Sequence, residues 1–252
     1  MARTSLGKRI RTNLLEVEVM ISCRSHGFRE FESRFLKYTD CPGRDEISAI
    51  QYVTSLLLID QLQIAISKTG IKLPQKLNAL DVGCGTGWGY AGILYGFLRQ
   101  YNTETPREVH LDGIDLLLTK RKARKIIQRE SNPNITPMPG DILNMGQAEQ
   151  YHFILWHNML ASPFHFAEFG LGARDLRKMM EKSSELLTPD GIQVIIAYQS
   201  AAEYSCVVGR LPKERIIAES WYRVQTGNGS LDSIFTPGID RLYRSGICVA
   251  RK

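Results

Sequence analysis

The hydrophobic pattern of the chain changes near residue 70. Upstream, apolar residues recur at helical spacing from Asp45 to Thr69, and Gly70 is a natural helix stop. Downstream, short runs that are apolar nearly throughout alternate with longer amphipathic segments, as expected when helices cover both faces of a parallel sheet. We therefore predict a helical cap over residues 1–70 and an α/β domain over residues 71–252.

The downstream part predicts strands and helices in alternation. The predicted strands are Leu77–Val82, Val109–Asp115, Ile135–Pro139, His152–Trp156 and Gln193–Tyr198, and the predicted helices are Trp88–Tyr101, Leu117–Glu130 and Ala173–Leu187. The sequence Thr188-Pro-Asp-Gly191 predicts a turn into the fifth strand. Two last strands, Trp221–Gln225 and Leu242–Ala250, have no helix pattern between them, so we expect them to be antiparallel.

Composition narrows the functional classes only a little. The 252 residues are 43% hydrophobic and carry a net charge of +6, which fits a protein with a basic surface and leaves nucleic acid open as a partner. The five cysteines, at positions 23, 41, 84, 206 and 248, are scattered and form no metal knuckle, which favours a reducing, cytoplasmic location. No apolar run is long enough to span a membrane, so we expect no membrane partner.

The strongest chemical signal is the segment Leu80-Asp-Val-Gly-Cys-Gly-Thr-Gly87, which follows the first strand and opens a helix. Its glycines, Gly83, Gly85 and Gly87, allow a tight turn and a close approach of the backbone to a ligand. The helix start beyond them offers free N–H groups and the positive end of the helix dipole, which suit a carboxylate. This segment resembles the cofactor loop of class I S-adenosylmethionine (SAM)-dependent methyltransferases.

The resemblance covers roughly residues 76–252 and implies both a fold and an activity. The implied fold is Rossmann-like and doubly wound, a mostly parallel seven-stranded sheet with an antiparallel C-terminal hairpin, here preceded by the helical N-terminal cap. The implied activity is methyl transfer from SAM, and a SAM-binding protein without catalysis is the alternative. A third reading is a nicotinamide-dependent oxidoreductase, because Gly87-Trp-Gly89-Tyr-Ala-Gly92 fits the dinucleotide fingerprint, although it starts one turn too late.

The resemblance also implies which residues surround the cofactor. Asp81 matches the acidic residue at the methionyl part, and Asp141 the residue that accepts the adenine amino group. Asp115, at the second strand end, is expected to accept the ribose hydroxyls in preference to Asp112 three residues earlier. The full expected set is Asp81, Gly83, Cys84, Gly85, Gly87, Asp115, Leu116, Asp141, Ile142 and Trp156, with Leu116 and Ile142 on the two sides of the adenine.

The acceptor is expected beyond the carboxyl ends of the fourth and fifth strands. His157 is the candidate proton acceptor there, and a histidine that only hydrogen-bonds its loop is the alternative. Asn158, Phe164 and Tyr198 are the candidate substrate contacts. We expect a small-molecule acceptor under the cap and no metal; RNA bound by the basic helix Lys120–Lys125, or a protein, is the alternative acceptor.

Overall fold

The fold is taken from a computed structural model that describes residues 26–39, 47–146, 148–157, 173–198, 204, 208–209, 211–223 and 244–252. The α-helices of this part are α1 (His26–Ser33), α2 (Leu36–Thr39), α3 (Ala49–Thr69), α4 (Ala91–Gln100), α5 (Lys120–Glu130) and α6 (Ala173–Leu186). The strands are β1 (Lys76–Val82), β2 (Glu108–Asp115), β3 (Ile135–Pro139), β4 (Tyr151–His157), β5 (Leu187–Tyr198), β6 (Ile216–Arg223) and β7 (Arg244–Arg251). Short 3₁₀ helices occupy Ile142–Asn144 and Lys213–Arg215.

The seven strands form one sheet in the order β3-β2-β1-β4-β5-β7-β6. The pairs from β3 to β5 are parallel, whereas β7 is antiparallel to both β5 and β6. This confirms the predicted mostly parallel, doubly wound sheet with its antiparallel C-terminal pair. The strand order reverses between β1 and β4, and in open α/β sheets ligands bind at the carboxyl ends of the strands beside such a reversal.

Helix α3 forms a layer on one face of the sheet. It packs against α4 and against β5, β6 and β7, and its apolar side chains share one core with the sheet. The Tyr222 hydroxyl of β6 donates to Asp60 Oδ2 of α3 over 2.7 Å and fixes the helix to that edge. The domain division at residue 70 stays a prediction, but within the predicted cap α3 packs on one face of the sheet and α2 packs on α4. In the described part of the chain, no helix combines the length and apolar character needed to cross a bilayer.

The ends of α3 follow from local sequence. Ser48 and Gln51 form a capping box, in which each side chain accepts a hydrogen bond from the other residue's backbone N–H. The helix therefore begins at Ala49, four residues after the predicted start at Asp45. Gly70 ends it with a φ of 64°, a left-handed conformation that glycine adopts without strain.

Two boundaries differ from the prediction for identifiable reasons. The predicted turn Thr188–Gly191 lies within β5 as a register shift, because β4 advances only from Tyr151 to Phe153 while β5 advances from Leu187 to Ile192. Strand β6 begins at Ile216, well before the predicted start at Trp221, because its first residues pair with the end of β7. A bulge in β6 interrupts the regular alternation there and hides the strand from pattern analysis.

Candidate cofactor site

The glycine-rich loop turns sharply after β1 and is tied to the neighbouring strand β2. Gly83 and Gly85 have φ values of 72° and 79°, which a residue with a Cβ rarely adopts. The Gly83 N–H donates to the Ile114 carbonyl over 2.7 Å, and the Gly85 N–H donates to Asp115 Oδ2 over 3.0 Å. A Cβ at Gly85 would meet no atom within 4 Å, so the space beside this residue is open. The loop therefore presents its main chain to a ligand.

Asp115 joins three loops at the carboxyl edge of the sheet. Besides the Gly85 N–H, its carboxylate accepts the Leu117 N–H on Oδ1 over 2.7 Å. Its main-chain carbonyl accepts the Gly140 N–H from the loop after β3, over 3.2 Å. An ionised carboxylate has about four acceptor sites, so Asp115 retains capacity for ligand hydroxyls beyond the two backbone bonds.

The rival residue, Asp112, lies on the other side of β2. Its Oδ2 accepts the Tyr151 hydroxyl over 2.7 Å, and its Oδ1 lies 3.0 Å from His110 Nε2. Because successive side chains of a strand point to opposite faces, residues three apart cannot share a face. The geometry thus sets Asp115, and not Asp112, beside the glycine-rich loop.

Asp81 is fully buried beneath this loop. Its Oδ2 accepts the Trp88 indole N–H over 2.7 Å, whereas its Oδ1 has no hydrogen-bond partner. Burial raises the pKa of Asp81 to about 7; hydrogen bonding to Tyr90 and Trp88 opposes this rise, and the Asp115 charge adds to it. A buried carboxylate oxygen without a protein partner is unusual in a native structure, so Oδ1 is available to a donor from outside the protein.

Three side chains that the sequence analysis did not single out hold the far end of the loop. The Arg129 guanidinium of α5 donates to the carbonyls of Gly87 and Trp88 over 2.9 and 2.7 Å. Gln51 of α3 packs so closely on Gly89 that a Cβ there would lie 2.8 Å from its side chain. Trp88 itself has a φ of 37°. The sequence contained one indication of where Trp88 lies. Gly113 is a glycine inside strand β2, and such a glycine often marks a place where another group approaches the strand closely.

The residues expected around the adenine differ in how much surface they offer. Leu116 is 44% exposed and is available to a ligand. Asp141 is half-buried and accepts the Leu143 N–H, which caps the 3₁₀ helix after β3. Ile142, expected on the other side of the ring, is 2% exposed and packs in the core on the α6 face. Its side chain therefore offers a ligand almost no surface.

Cys84 and Trp156 are also buried. The Trp156 indole donates to Ser183 Oγ of α6 over 3.1 Å, on the face of the sheet opposite the glycine-rich loop. The Cys84 thiol is buried, and burial raises its pKa above the usual range. The side chains of these two residues therefore offer a ligand almost no surface.

His157 is a poor general base in this environment. Burial lowers its pKa to about 3, and its ring packs edge-on against Tyr90 with 5.3 Å between the ring centroids. A base works best when its pKa lies near the operating pH, so a pKa this low is unfavourable for proton transfer, and the catalytic role of His157 stays a prediction. Of the candidate substrate contacts, Asn158 and Phe164 lie outside the described residues. Tyr198 ends β5, where its backbone pairs with Ser245.

Two of the solved structures to which this chain is similar are methyltransferases. The N-methyltransferase NodS from Bradyrhizobium japonicum, in complex with S-adenosylhomocysteine, superposes with a TM-score of 0.50 at 15% identity over 90% of this chain and 99% of that chain. A TehB-like SAM-dependent methyltransferase from Corynebacterium glutamicum has a TM-score of 0.44 at 14% identity, over 77% and 87%. No family model and no curated protein sequence matches the chain. The chain has the fold of class I SAM-dependent methyltransferases.

Proposed function

We propose that this protein is a SAM-dependent methyltransferase whose cofactor binds at the carboxyl ends of β1, β2 and β3. The observation that carries the proposal is the hydrogen bond from the Gly85 N–H to Asp115 Oδ2. It brings a ligand-presenting glycine loop and a buried acidic strand tip together at the edge of the sheet. In nucleotide-binding α/β folds these two features hold the anionic group and the ribose of the ligand.

The residues at this edge fit the separate parts of SAM. The main chain of Gly83–Gly87 suits the methionyl carboxylate, and Asp81 Oδ1, which has no partner, suits the ammonium group beside it. Asp115 has acceptor capacity for the ribose hydroxyls. Asp141 follows Gly140 at the next loop and suits the adenine amino group, and Leu116 offers apolar surface for the ring.

The chemistry asks little of the protein beyond positioning. When bound, SAM supplies a methyl group that its sulfonium already makes electrophilic. The chain must hold an acceptor in line with that group and exclude water. His157 stays neutral at physiological pH because its pKa is about 3, so we assign it to packing against Tyr90 and not to proton transfer.

Three features favour SAM over a nicotinamide dinucleotide. The tight turn after β1 is at Gly83, so the literal dinucleotide fingerprint that starts at Gly87 lies past the turn. Gly89, its second glycine, contacts Gln51 of α3 where a pyrophosphate would have to approach. In addition, β7 is inserted antiparallel between β5 and β6, which the six-stranded dinucleotide fold does not have.

Binding calorimetry with the purified protein tests the cofactor. We expect S-adenosylhomocysteine and SAM to bind and NAD to give no heat. Tighter binding of NAD than of S-adenosylhomocysteine would overturn the proposal. Incubation with methyl-labelled SAM and a metabolite mixture then separates an enzyme from a SAM-binding protein without catalysis, since only the enzyme transfers the label.

We further propose that the acceptor is a small molecule. Gln51, in the first turn of α3, lies against Gly89, so the chain upstream of α3 starts directly beside the glycine-rich loop. That attachment suits a cap over an enclosed acceptor. The basic side chains Lys120, Arg121 and Lys125 are exposed on α5, which packs on the edge strand β3. They are therefore not needed to line an enclosed site at the ends of β4 and β5.

Reversing the charge of Lys120, Arg121 and Lys125 together tests this acceptor class. We expect methylation of the identified small molecule to persist in the triple variant. Three results together would instead favour RNA as the acceptor. The wild type would methylate RNA, its binding to RNA would weaken steeply as salt rises, and the triple variant would lose RNA binding while still binding S-adenosylhomocysteine.

A further inference from the structure

Trp88 has a place in the site that neither the glycine-rich motif nor the strand pattern accounts for. It follows the last glycine of the loop, its backbone has a φ of 37°, and its side chain is only 1% exposed. For a bulky residue a positive φ is an uncommon conformation that the surrounding contacts must maintain. The strain points to a specific demand on where the indole lies.

Two neighbours maintain this conformation. Strand β2 has Gly113 where the ring lies, and a Cβ there would be 2.6 Å from the indole carbons Cη2 and Cζ2. Arg129 holds the backbone of the loop by donating to the carbonyls of Gly87 and Trp88. Glu130 Oε1 in turn accepts a hydrogen bond from Arg129 Nε over 2.6 Å. The indole is thus confined between the loop and β2.

The confined indole reaches one polar group. Its N–H donates to Asp81 Oδ2 over 2.7 Å, while Oδ1 of the same carboxylate has no partner. The other groups that act on Asp81 are Tyr90 at the start of α4 and Asp115 of β2. Asp115 disfavours the charged form of Asp81 by repulsion, and Tyr90 and Trp88 favour it by hydrogen bonding.

We propose that Trp88 is a positioning residue: its indole N–H holds the Asp81 carboxylate ionised and turned so that Oδ1 is presented to the ammonium group of the cofactor. This inference rests on the proposed function. It assigns to Trp88 a part in cofactor binding without any direct contact between the indole and SAM.

Loss of the indole N–H should change the protonation of Asp81. A hydrogen bond to a charged group is strong enough to move a carboxyl pKa by roughly one to two units. Since burial already raises the pKa of Asp81 to about 7, the carboxyl in Trp88→Phe should be mostly protonated at neutral pH. A protonated Asp81 cannot pair with an ammonium group in the same way, so affinity should fall at every pH at which the raised pKa leaves the variant less ionised than the wild type.

The experiment compares Trp88→Phe with Tyr151→Phe. The control removes a hydroxyl that donates to another buried carboxylate, Asp112, over the same distance of 2.7 Å but on the opposite face of the sheet. Two quantities are measured in each protein: the Asp81 pKa, by carboxyl carbon NMR with Asp81→Asn to assign the signal, and the affinity for S-adenosylhomocysteine by calorimetry across pH. Protonation of the ligand itself affects every protein equally. The ratio of each variant's affinity to that of the wild type therefore reports on the protonation of Asp81.

We expect Trp88→Phe to raise the Asp81 pKa and Tyr151→Phe to leave it unchanged. For a rise of one unit, the affinity lost by Trp88→Phe should be about tenfold at pH 6, about fivefold at pH 7 and close to none at pH 9. A role in folding alone would give a loss that does not vary with pH. Either a pH-independent loss or an unchanged Asp81 pKa overturns the inference.

A second variant keeps the test decisive if Trp88→Phe folds poorly. Gly113→Ala leaves Trp88 in place but forces its ring away from β2, because the new Cβ would lie 2.6 Å from the indole. It should raise the Asp81 pKa and reproduce the pH-dependent loss. If the wild type itself binds no S-adenosylhomocysteine, the proposed function and this inference both fail. If the wild type binds it and both variants match the wild type at every pH, only the inference fails.

Discussion

Strand β2 carries two buried aspartates, Asp112 and Asp115, which are equally hidden from solvent at 6% exposure each. Their partners differ in kind. Asp112 accepts a hydrogen bond from the Tyr151 hydroxyl and lies beside His110. Asp115 instead accepts hydrogen bonds from the backbone N–H groups of Gly85 and Leu117. The first pairing links β2 to β4 across β1, and the second positions loops at the edge of the sheet.

Burial alone therefore does not identify a ligand-binding acid. An acid that binds only side chains within the sheet has a role in stability. An acid that binds the main chain of a glycine-rich loop also fixes the geometry of a ligand site and has lone pairs left for the ligand. Substitutions at the two aspartates and at their partners test whether the two carboxylates have these different roles.

The largest effect is expected on cofactor affinity. Asp115→Ala should lower the affinity for S-adenosylhomocysteine roughly ten- to a hundredfold, because it removes charge-assisted hydrogen bonds worth about 1.5–3 kcal/mol each. Asp112→Ala is the matched control and should change affinity by less than about twofold at a temperature where it is folded. Isothermal titration calorimetry measures both. Loss of affinity in Asp112→Ala with none in Asp115→Ala would reverse the assignment.

A smaller effect is expected on stability, and at the other aspartate. Tyr151→Phe removes the hydroxyl that donates to Asp112 over 2.7 Å and should lower the free energy of unfolding by about 1–2 kcal/mol. Its affinity for S-adenosylhomocysteine should stay at the wild-type value. Urea denaturation gives the first quantity and calorimetry the second. Wild-type stability together with weakened cofactor binding would place Tyr151 in the site and contradict the comparison.

The smallest effect concerns His157. Its pKa is lowered by burial to about 3, below the unfolded value of 6.5, so the unfolded chain takes up a proton first as pH falls. The stability that neutral His157 contributes is therefore present above pH 6.5 and is lost progressively toward about pH 3. At pH 6 the loss relative to pH 8 should be under about 1 kcal/mol.

His157→Gln removes this titration, and its unfolding free energy should fall less than that of the wild type between pH 8 and pH 6. Methyl transfer to an identified acceptor should continue within about threefold, since the account gives His157 no proton to move. A loss of activity of a hundredfold or more with intact cofactor binding would restore the histidine as the catalytic base.

Most of the fold was predictable because its strands are strongly patterned. β3 has the predicted bounds, and the first two strands begin one residue before the predicted start, at the charged residues Lys76 and Glu108. The mostly parallel seven-stranded sheet with its antiparallel C-terminal pair followed from the resemblance in the loop. Boundaries failed where backbone irregularity breaks the alternation, as in the first residues of β6 and in the register shift at Thr188–Gly191.

The positions of candidate site residues at strand ends were predictable from the sequence. The face of the sheet toward which each side chain points was predicted less well. Trp156 and His157 are adjacent in β4 and therefore point to opposite faces, so they cannot both reach one ligand through their side chains. That argument was available from the sequence. The reach of Arg129 to Gly87 was not, because 42 residues separate them and only the packing of α5 brings them together.

Trp88 was missed for a different reason. The motif draws attention to its glycines, while the left-handed backbone of Trp88 and the hydrogen bond to Asp81 appear only in three dimensions. A glycine in the interior of β2 indicated that something lies close to that strand, but it did not indicate what.

The central claim is that S-adenosylhomocysteine binds against the glycine-rich loop with its ribose on Asp115. A crystal structure of the protein with S-adenosylhomocysteine tests it directly. The account predicts ribose hydroxyls within hydrogen-bond distance, about 2.5–3.0 Å, of the Asp115 carboxylate, and the amino group of the ligand beside Asp81. A ligand that lies elsewhere, or whose ribose contacts neither oxygen of Asp115, would contradict the account.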